Sequence, residues 1–294
     1  MKHPLRILAL AAMATFGATS VQSAQIVVGG GDYTEQLLLA EITAQLLKHE
    51  GYEVDKRDGM GSLVIRNAQV NGQIDVYWEY TGTSLVTYNK IDTPMSAEDT
   101  YKTVKELDAE VGITWLNPST ANNTYALAVR AANEKTDAID SLSDLADSYN
   151  NDGGLVMAVN AEFSGRPDGL PGVEKAYSFK TSRANTRSMD SGLTYQALQN
   201  EQVDVALVFS TDGRIQAFDF RLLEDDKAFF PDYATVPVVR TSVLEANPEL
   251  EAPLNAMSAK LSNTVMQTLN AKIDVDKRSI EEVATEFLTE NGLI

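Results

Sequence analysis

The segment IVVGGGDYTEQLLLAEITAQLLKH (residues 26–49) decides the fold class. The β-branched run at residues 26–28 is typical of a buried strand, and three glycines follow it. The periodic apolar stretch at residues 33–49 then predicts a helix. Asp32 followed by Glu35 fits a capping box with Asp32 as the N-cap. A strand that leads directly into a helix is the first half of a β-α-β unit.

The same alternation continues along the chain. Further strands and helices are predicted at residues 52–56, 62–71, 74–78 and 96–111, and in a second block at 125–129, 141–146, 155–159, 192–199 and 204–209. A strand at residues 235–240 and C-terminal helices follow, one of them opened by Ser279 with Glu282. This order predicts an α/β protein with two lobes, each a mostly parallel sheet flanked by helices, and a ligand cleft between them. We expect residues 236–294 to return to the first lobe, so that the mature segments are 25–123, 124–235 and 236–294.

The first 24 residues are set apart from this pattern. Lys2 and Arg6 make a positive start, and residues 7–18 are apolar but too short to span a bilayer. Residues 1–24 therefore predict a signal peptide that is cleaved near residues 23–24. We expect the mature protein to lie in the periplasm.

Composition excludes several classes of function. The chain has no cysteine, which excludes a disulfide scaffold, a thiol nucleophile, a Cys-based metal site and a lipid anchor at cysteine. The net charge is −18, and without Lys2 and Arg6 the 22 basic residues against 42 acidic ones give −20. Such acidity disfavours nucleic acids and anionic membranes as partners. The two histidines are His3 and His49, so neither a catalytic triad nor a metal or other cofactor is expected.

Gly29-Gly30-Gly31, between a strand and a helix, invites a dinucleotide-binding interpretation. The fingerprint fails because Thr34 stands where its third glycine should be. We expect instead that the glycines let the backbone approach the cleft. The N–H groups at Tyr33 and Thr34 would then face an anion at the helix N-terminus.

The segment DVYWEYTGT (residues 75–83) places three aromatic rings beside small polar groups. Ring faces attract a cation, and hydroxyls such as that of Thr83 hold an anion. The pattern therefore suits a small ligand that carries both charges. The alternative is a buried strand end with aromatic residues in the core.

Four further polar or aromatic segments follow predicted strands or lie where the chain crosses between lobes. Ligands of open α/β sheets bind beyond the carboxyl ends of the strands, so we expect these segments to meet at one cleft. They contribute the candidate binding residues Asn123, Arg166, Thr211, Asp212 and Tyr233.

Six motifs occur in one order: DYTEQ (32–36), YWEYTGT (77–83), NNTYALAV (122–129), GLTYQAL (192–198), VDVALVFSTDGRI (203–215) and DDKAFFPDYATVPVVR (225–240). The series resembles the substrate-binding proteins of ABC importers for glycine betaine, choline, carnitine and related osmoprotectants. The resemblance covers essentially the whole mature chain. It implies a two-lobed, type II-like periplasmic-binding fold that closes on its ligand.

The resemblance also implies roles for individual residues. Members hold a quaternary ammonium head in an aromatic cage, which would here comprise Tyr80, Tyr125 and Tyr233, with Phe209 near another cage position and Tyr195 as a lesser candidate. The anionic tail of the ligand would be held by Thr34, Thr83 and Arg166.

Two positions depart from the pattern of this family. Members often have lysine where this chain has Gly31, and aspartate where it has Asn123. These departures change the electrostatics at both ends of the ligand. They leave the solute open among glycine betaine, choline, carnitine and similar compounds.

The implied function is that of a monomeric protein that captures a small solute and delivers it to the permease subunits of an ABC importer, without a cofactor. Two alternatives remain open from the sequence. The same fold could serve as a ligand sensor. A remote alternative is a hydrolase that uses a carboxylate pair drawn from Glu79, Glu162 or Asp212.

Overall fold

A computed structural model describes residues 25–151 and 154–294. The predicted signal peptide lies outside these described residues. No helix in the described part of the chain combines the length and the apolar character that a membrane crossing requires.

Ten strands form two five-stranded sheets within the described residues. In chain order the strands are β1 (Gln25–Gly31), β2 (Glu53–Met60), β3 (Val76–Tyr80), β4 (Ile113–Trp115), β5 (Tyr125–Arg130), β6 (Met157–Val159), β7 (Thr186–Ser188), β8 (Val205–Phe209), β9 (Phe220–Leu222) and β10 (Thr235–Arg240). The first sheet has the order β2-β1-β3-β10-β4 and the second β7-β6-β8-β5-β9.

Both sheets are mostly parallel, as the sequence predicts. In the first sheet β10 runs antiparallel to its neighbours β3 and β4, while β1 is parallel to β2 and β3. In the second sheet β5 alone opposes the others in the same way. Four strands of each sheet therefore point in one direction, and the expected α/β class is confirmed.

The helices of the described residues cover these sheets. They are α1 (Thr34–His49), α2 (Ser62–Val70), α3 (Ala97–Ala109), α4 (Leu142–Asn150), α5 (Ala161–Gly165), α6 (Leu170–Tyr177), α7 (Ser191–Gln199), α8 (Arg214–Ala217), α9 (Thr241–Ala246), α10 (Glu251–Ser258), α11 (Asn263–Asp274) and α12 (Ile280–Glu290). A π-helical turn, Thr83–Tyr88, follows β3, and short 3₁₀ turns span Glu134–Thr136 and Pro248–Leu250.

The apolar face of α1 shows how a lobe is packed. Leu39 and Ile42 lie in one buried cluster with Val283 and Phe287 of α12 and with Trp78 of β3. A separate cluster, built from α2, α3 and the strands, forms another part of the core. The amphipathic periodicity of the sequence thus places helices against the sheet.

The three glycines belong to β1 and do not approach the cleft, which corrects the expectation from the sequence. A Cβ at Gly29 would lie 2.7 Å from Ile74 Cγ2, and one at Gly30 would lie 2.8 Å from the Cβ of Ala40. Such distances are too short for real side-chain contacts. The glycines are therefore needed for close packing of β1 against its neighbours.

The chain passes between the two sheets through paired segments. The Asn123 N–H donates to the carbonyl of Tyr233, and the Thr235 N–H donates to the carbonyl of Ala121. Thr81, which follows β3, donates its N–H to the carbonyl of Ala234. These hydrogen bonds make the crossing an ordered ribbon.

Candidate functional site

A cavity of about 640 Å³ lies beside this crossing, with walls from both sheets. This volume is within the usual range for small-molecule sites. All twelve residues that the sequence nominates line it: Tyr33, Thr34, Tyr80, Thr83, Asn123, Tyr125, Arg166, Tyr195, Phe209, Thr211, Asp212 and Tyr233. The sequence therefore brings the candidates to one place, as expected for a cleft.

Aromatic rings form one wall of the cavity around Tyr125. The Tyr125 ring centroid lies 5.4 Å from that of Phe209 and 5.5 Å from that of Tyr233. Tyr33 stacks on Phe209 with an interplanar angle of 6° and a centroid distance of 5.4 Å. These spacings are those of mutually packed rings. Together with Tyr80, these rings line the cavity, and the face of an aromatic ring attracts a cation.

The hydroxyls of the tyrosines are fixed by neighbouring groups. The Tyr80 hydroxyl donates to Glu35 Oε1 at 2.8 Å and accepts from Gln36 Nε2 at 3.0 Å. The Tyr233 hydroxyl donates to Asp168 Oδ2 at 2.7 Å. Burial raises the pKa of Tyr80 and Tyr233 well above the usual range, so both phenols remain neutral. The orientation of these two rings is therefore set before a ligand enters.

Glu35 is a functional candidate that the sequence reasoning missed. Its carboxylate is 3% exposed and lines the cavity from the first turn of α1. Tyr80 and Asn123 donate to Oε1, each at 2.8 Å, while Thr211 (2.5 Å) and Asn270 (3.2 Å) donate to Oε2. Burial raises the pKa of Glu35, and these four hydrogen bonds oppose that effect.

The predicted capping box at the start of α1 is wrong. The N-cap is Tyr33, which makes no side-chain capping bond, and Glu35 turns into the cavity instead of back to the backbone. Asp32 also lines the cavity. The Thr34 hydroxyl donates to Asp274 Oδ1 at 2.8 Å, so it is engaged within the protein.

Arg166 lies at the cavity, but its guanidinium is already paired. Its Nε donates to Asp168 Oδ1 at 2.8 Å and its Nη2 to Asp168 Oδ2 at 2.5 Å, which is a bidentate ion pair. Nη2 also donates to Thr83 Oγ1 at 3.2 Å, and Nη1 lies 3.7 Å from Glu162. The guanidinium carbon lies 5.4 Å from the ring centroid of Tyr125. Arg166 therefore lines the cavity and also contacts the Tyr125 ring, which is one of the predicted cage residues.

A second arginine, Arg214, also lines the cavity. Arg214 forms a bidentate pair with Asp212 and lies 3.2 Å from Asp274. Its guanidinium carbon lies 3.9 Å from the ring centroid of Tyr195. Tyr195 is fully buried, and its hydroxyl accepts the Phe209 N–H at 2.7 Å. The structure thus places Tyr195 beneath Phe209, with its ring covered by Arg214.

Two residues that line the cavity, Ser62 and Glu162, form hydrogen bonds between the two lobes. Glu162 of α5 accepts from the Ser62 N–H and from the Ser62 hydroxyl, both at 2.9 Å. The N-cap of α2 is Gly61, which has no side chain to cap the helix. The carboxylate from the second lobe therefore caps a helix of the first. Burial raises the pKa of Asp32 beside it, and the charges of Glu162 and Asp190 raise it further.

Two of the three carboxylates of the hydrolase alternative, Glu162 and Asp212, line the cavity, and all three are engaged by other groups of the protein. Glu79 is buried in the first lobe and accepts from the Tyr77 hydroxyl at 2.5 Å and the Tyr80 N–H at 2.7 Å. Asp212 is held by its arginine, and Glu162 caps a helix.

Comparison with known proteins identifies the family. A family model described as the substrate-binding domain of the ABC-type glycine betaine transport system matches residues 24–290. The chain belongs to this family. The resemblance that its motifs indicate is therefore confirmed.

Individual relatives of the glycine betaine transport family match over nearly full length. The chain is 41% identical over 300 residues to a glycine-betaine-binding protein of Pseudomonas aeruginosa, covering 100% of this chain and 96% of the relative. It is 34% identical over 274 residues to the glycine betaine-binding protein YehZ of Escherichia coli, covering 90% of each.

Solved structures of the glycine betaine transport family share the fold. The apo structure of YehZ from Escherichia coli aligns with a TM-score of 0.66 at 33% identity, covering 92% of this chain and 100% of that one. A crystal structure titled as a glycine betaine/carnitine/choline ABC transporter aligns with a TM-score of 0.72 at 29% identity, covering 91% and 99%. The two-lobed fold expected from the sequence is confirmed.

The two positions that are expected from the sequence to depart from the family, Gly31 and Asn123, both contact residues of the site. A Cβ at Gly31 would lie 3.0 Å from the Cβ and Cγ of Gln36, the residue that supports the Tyr80 hydroxyl. A longer side chain there would require Gln36 to shift. Asn123 donates its amide to Glu35, which an aspartate could not do while ionised.

Proposed function

We propose that this protein captures a small solute with a quaternary ammonium head, such as choline, glycine betaine or carnitine. The observation that carries the proposal is the aromatic wall around Tyr125, formed with Tyr33, Tyr80, Phe209 and Tyr233 at the cavity. A methylated ammonium ion is apolar in shape and positive in charge, so it gains both from desolvation and from ring quadrupoles. Two relatives of this chain are named glycine betaine-binding proteins, which supports this choice.

The polar part of the solute would face the remainder of the cavity. Thr83 and Arg166 line the cavity and are hydrogen-bonded to each other, while Asn123 and Thr211 line it and both donate to Glu35. Arg166 is committed to Asp168 in a bidentate pair, so a carboxylate of the solute would have to share it. This geometry supports a solute whose ammonium head, more than its tail, supplies the binding energy.

We propose further that the loaded protein delivers its solute to the permease subunits of an ABC importer and performs no chemistry on it. Membership in a family of substrate-binding domains supports both statements. Residues 1–24 would direct export to the periplasm and be removed near residues 23–24. The lobes would comprise residues 25–123 with 236–294, and residues 124–235, because β5 and β10 begin directly after the paired crossing.

Calorimetric titration of residues 25–294, refolded after removal of any bound solute, tests the proposal. The ligands are glycine betaine, choline, carnitine, proline betaine and ectoine, and proline is a control without a quaternary nitrogen. We expect micromolar binding of at least one methylated ammonium compound and none of proline. NMR of the solute after incubation should show no change in its covalent structure. A folded protein that binds none of the quaternary compounds would refute the proposed ligand class.

A further inference from the structure

Glu35 is a buried glutamate that lines the cavity. The two aspartates behind the neighbouring arginines, Asp168 and Asp212, are neutralised by bidentate pairs. Within residues 25–151 and 154–294, no lysine, arginine or histidine pairs with Glu35, whose four hydrogen-bond donors are all neutral. A buried charge without a counter-ion is costly, so a cation that enters this cavity would be strongly favoured.

The donors around Glu35 are arranged for a carboxylate. The Asn270 Nδ2 lies between Glu35 Oε2 at 3.2 Å and the carbonyl oxygen of Thr211 at 3.0 Å, so its amino group faces two acceptors. The Asn123 Nδ2 donates to the other carboxylate oxygen at 2.8 Å. An amide nitrogen can only donate, and these bonds therefore favour the ionised form of Glu35.

We propose that Glu35 determines specificity by making the cage select a cation over a neutral solute of the same shape. Its Oε1 lies 2.8 Å from the hydroxyl of Tyr80, whose ring lines the same cavity, so an ammonium group against that ring would lie close to the carboxylate. Opposite charges attract each other more strongly at a buried site in a protein than in bulk water, because the effective dielectric constant is lower. The inference rests on the proposed function and adds the residue that supplies the counter-charge.

Choline and 3,3-dimethyl-1-butanol provide the matched pair of ligands for the test, because the second has carbon in place of the charged nitrogen. Both are titrated calorimetrically into the mature protein and into Glu35→Gln. We expect the substitution to weaken choline about tenfold or more. It should weaken the neutral compound by less than about threefold, because the rings remain in place. Glu174→Gln, which changes a buried glutamate of the second lobe outside the cavity, should leave both affinities unchanged.

The outcomes separate the two proposals. Equal losses for both ligands in Glu35→Gln would mean that Glu35 only shapes the cavity, and would overturn the inference while leaving the proposed function intact. Equal affinity of the unmodified protein for choline and for the neutral compound would also overturn the inference. This comparison needs no variant, so it remains decisive if Glu35→Gln does not fold. If the unmodified protein bound no quaternary ammonium compound at all, the proposed function itself would fail.

Discussion

Replacement of the Tyr125 ring is the sharpest perturbation of the aromatic wall. Tyr125 is 6% exposed, and its ring lies between Phe209, Tyr233 and the Arg166 guanidinium at centroid distances of 5.4, 5.5 and 5.4 Å. A desolvated cation–π contact contributes about 2 kcal/mol. Tyr125→Leu keeps an apolar side chain but removes the π face, so we expect the affinity for a quaternary ammonium solute to fall about 30-fold.

Two variants control this experiment. Tyr125→Phe keeps the ring, so its affinity should stay within about threefold of the unmodified protein. Tyr149→Leu removes a tyrosine that stacks on Phe179 at 5.3 Å outside the cavity, and it should lower stability without changing affinity. Affinities come from calorimetry, and thermal unfolding confirms that each variant is folded. If Tyr125→Leu binds within threefold of the unmodified protein, the cage argument is wrong.

Three further perturbations test other parts of the site. Glu162→Gln weakens the hydrogen bonds from Ser62 that join the two lobes, so solute dissociation measured by stopped flow should accelerate about three- to tenfold. An unchanged dissociation rate would show that these bonds do not help to hold the lobes closed. Asp168→Asn removes the charge that competes for Arg166, so the ratio of glycine betaine to choline affinity should rise by about threefold or more, and a fall would contradict this account. Burial raises the pKa of Glu79 from 4.5 to about 7, so the folded state binds this proton more tightly than the unfolded state does. Deprotonation of Glu79 therefore lowers the free energy of unfolding by up to about 3 kcal/mol as the pH rises from 4.5 to 7. Urea unfolding at pH 5 and pH 8 measures this fall in the free energy of unfolding, which should be smaller in Glu79→Gln than in the unmodified protein. An identical pH dependence in both proteins would exclude Glu79 as the cause of the fall.

Local sequence patterns were sufficient to predict the seven strands β1, β2, β3, β5, β6, β8 and β10, but not the three-residue strands β4, β7 and β9. The β-branched run and the periodic apolar stretch in residues 26–49 predict a strand and a helix from local sequence alone. They do so because the spacing of buried side chains within one element follows from its conformation. Ser279 illustrates the same point, since it accepts the Glu282 N–H as the N-cap of α12. The candidate residues converge because strand ends in this topology share one edge of each sheet.

What the sequence could not supply depends on contacts between distant segments. Glu35 fits a capping box locally, yet its partners Tyr80, Thr211 and Asn270 come from β3, the second lobe and α11. Asn270 belongs to no recognisable motif. Arg166 and Asp168 are only two residues apart in the chain, but their ion pair is also held by distant residues. Arg166 donates to the Thr83 hydroxyl, and Asp168 accepts from the Tyr233 hydroxyl. These networks exist only after the lobes are assembled.

The central claim is that the ammonium head of the solute lies against the aromatic wall. Isotope-filtered NMR tests it directly, with the tightest ligand of the calorimetric panel labelled with ¹³C in its N-methyl groups. At saturation, we expect nuclear Overhauser effects from the N-methyl protons to ring protons of Tyr80, Tyr125 and Phe209, which line one wall of the cavity. Effects only to residues outside that wall, with the ligand bound, would contradict the account.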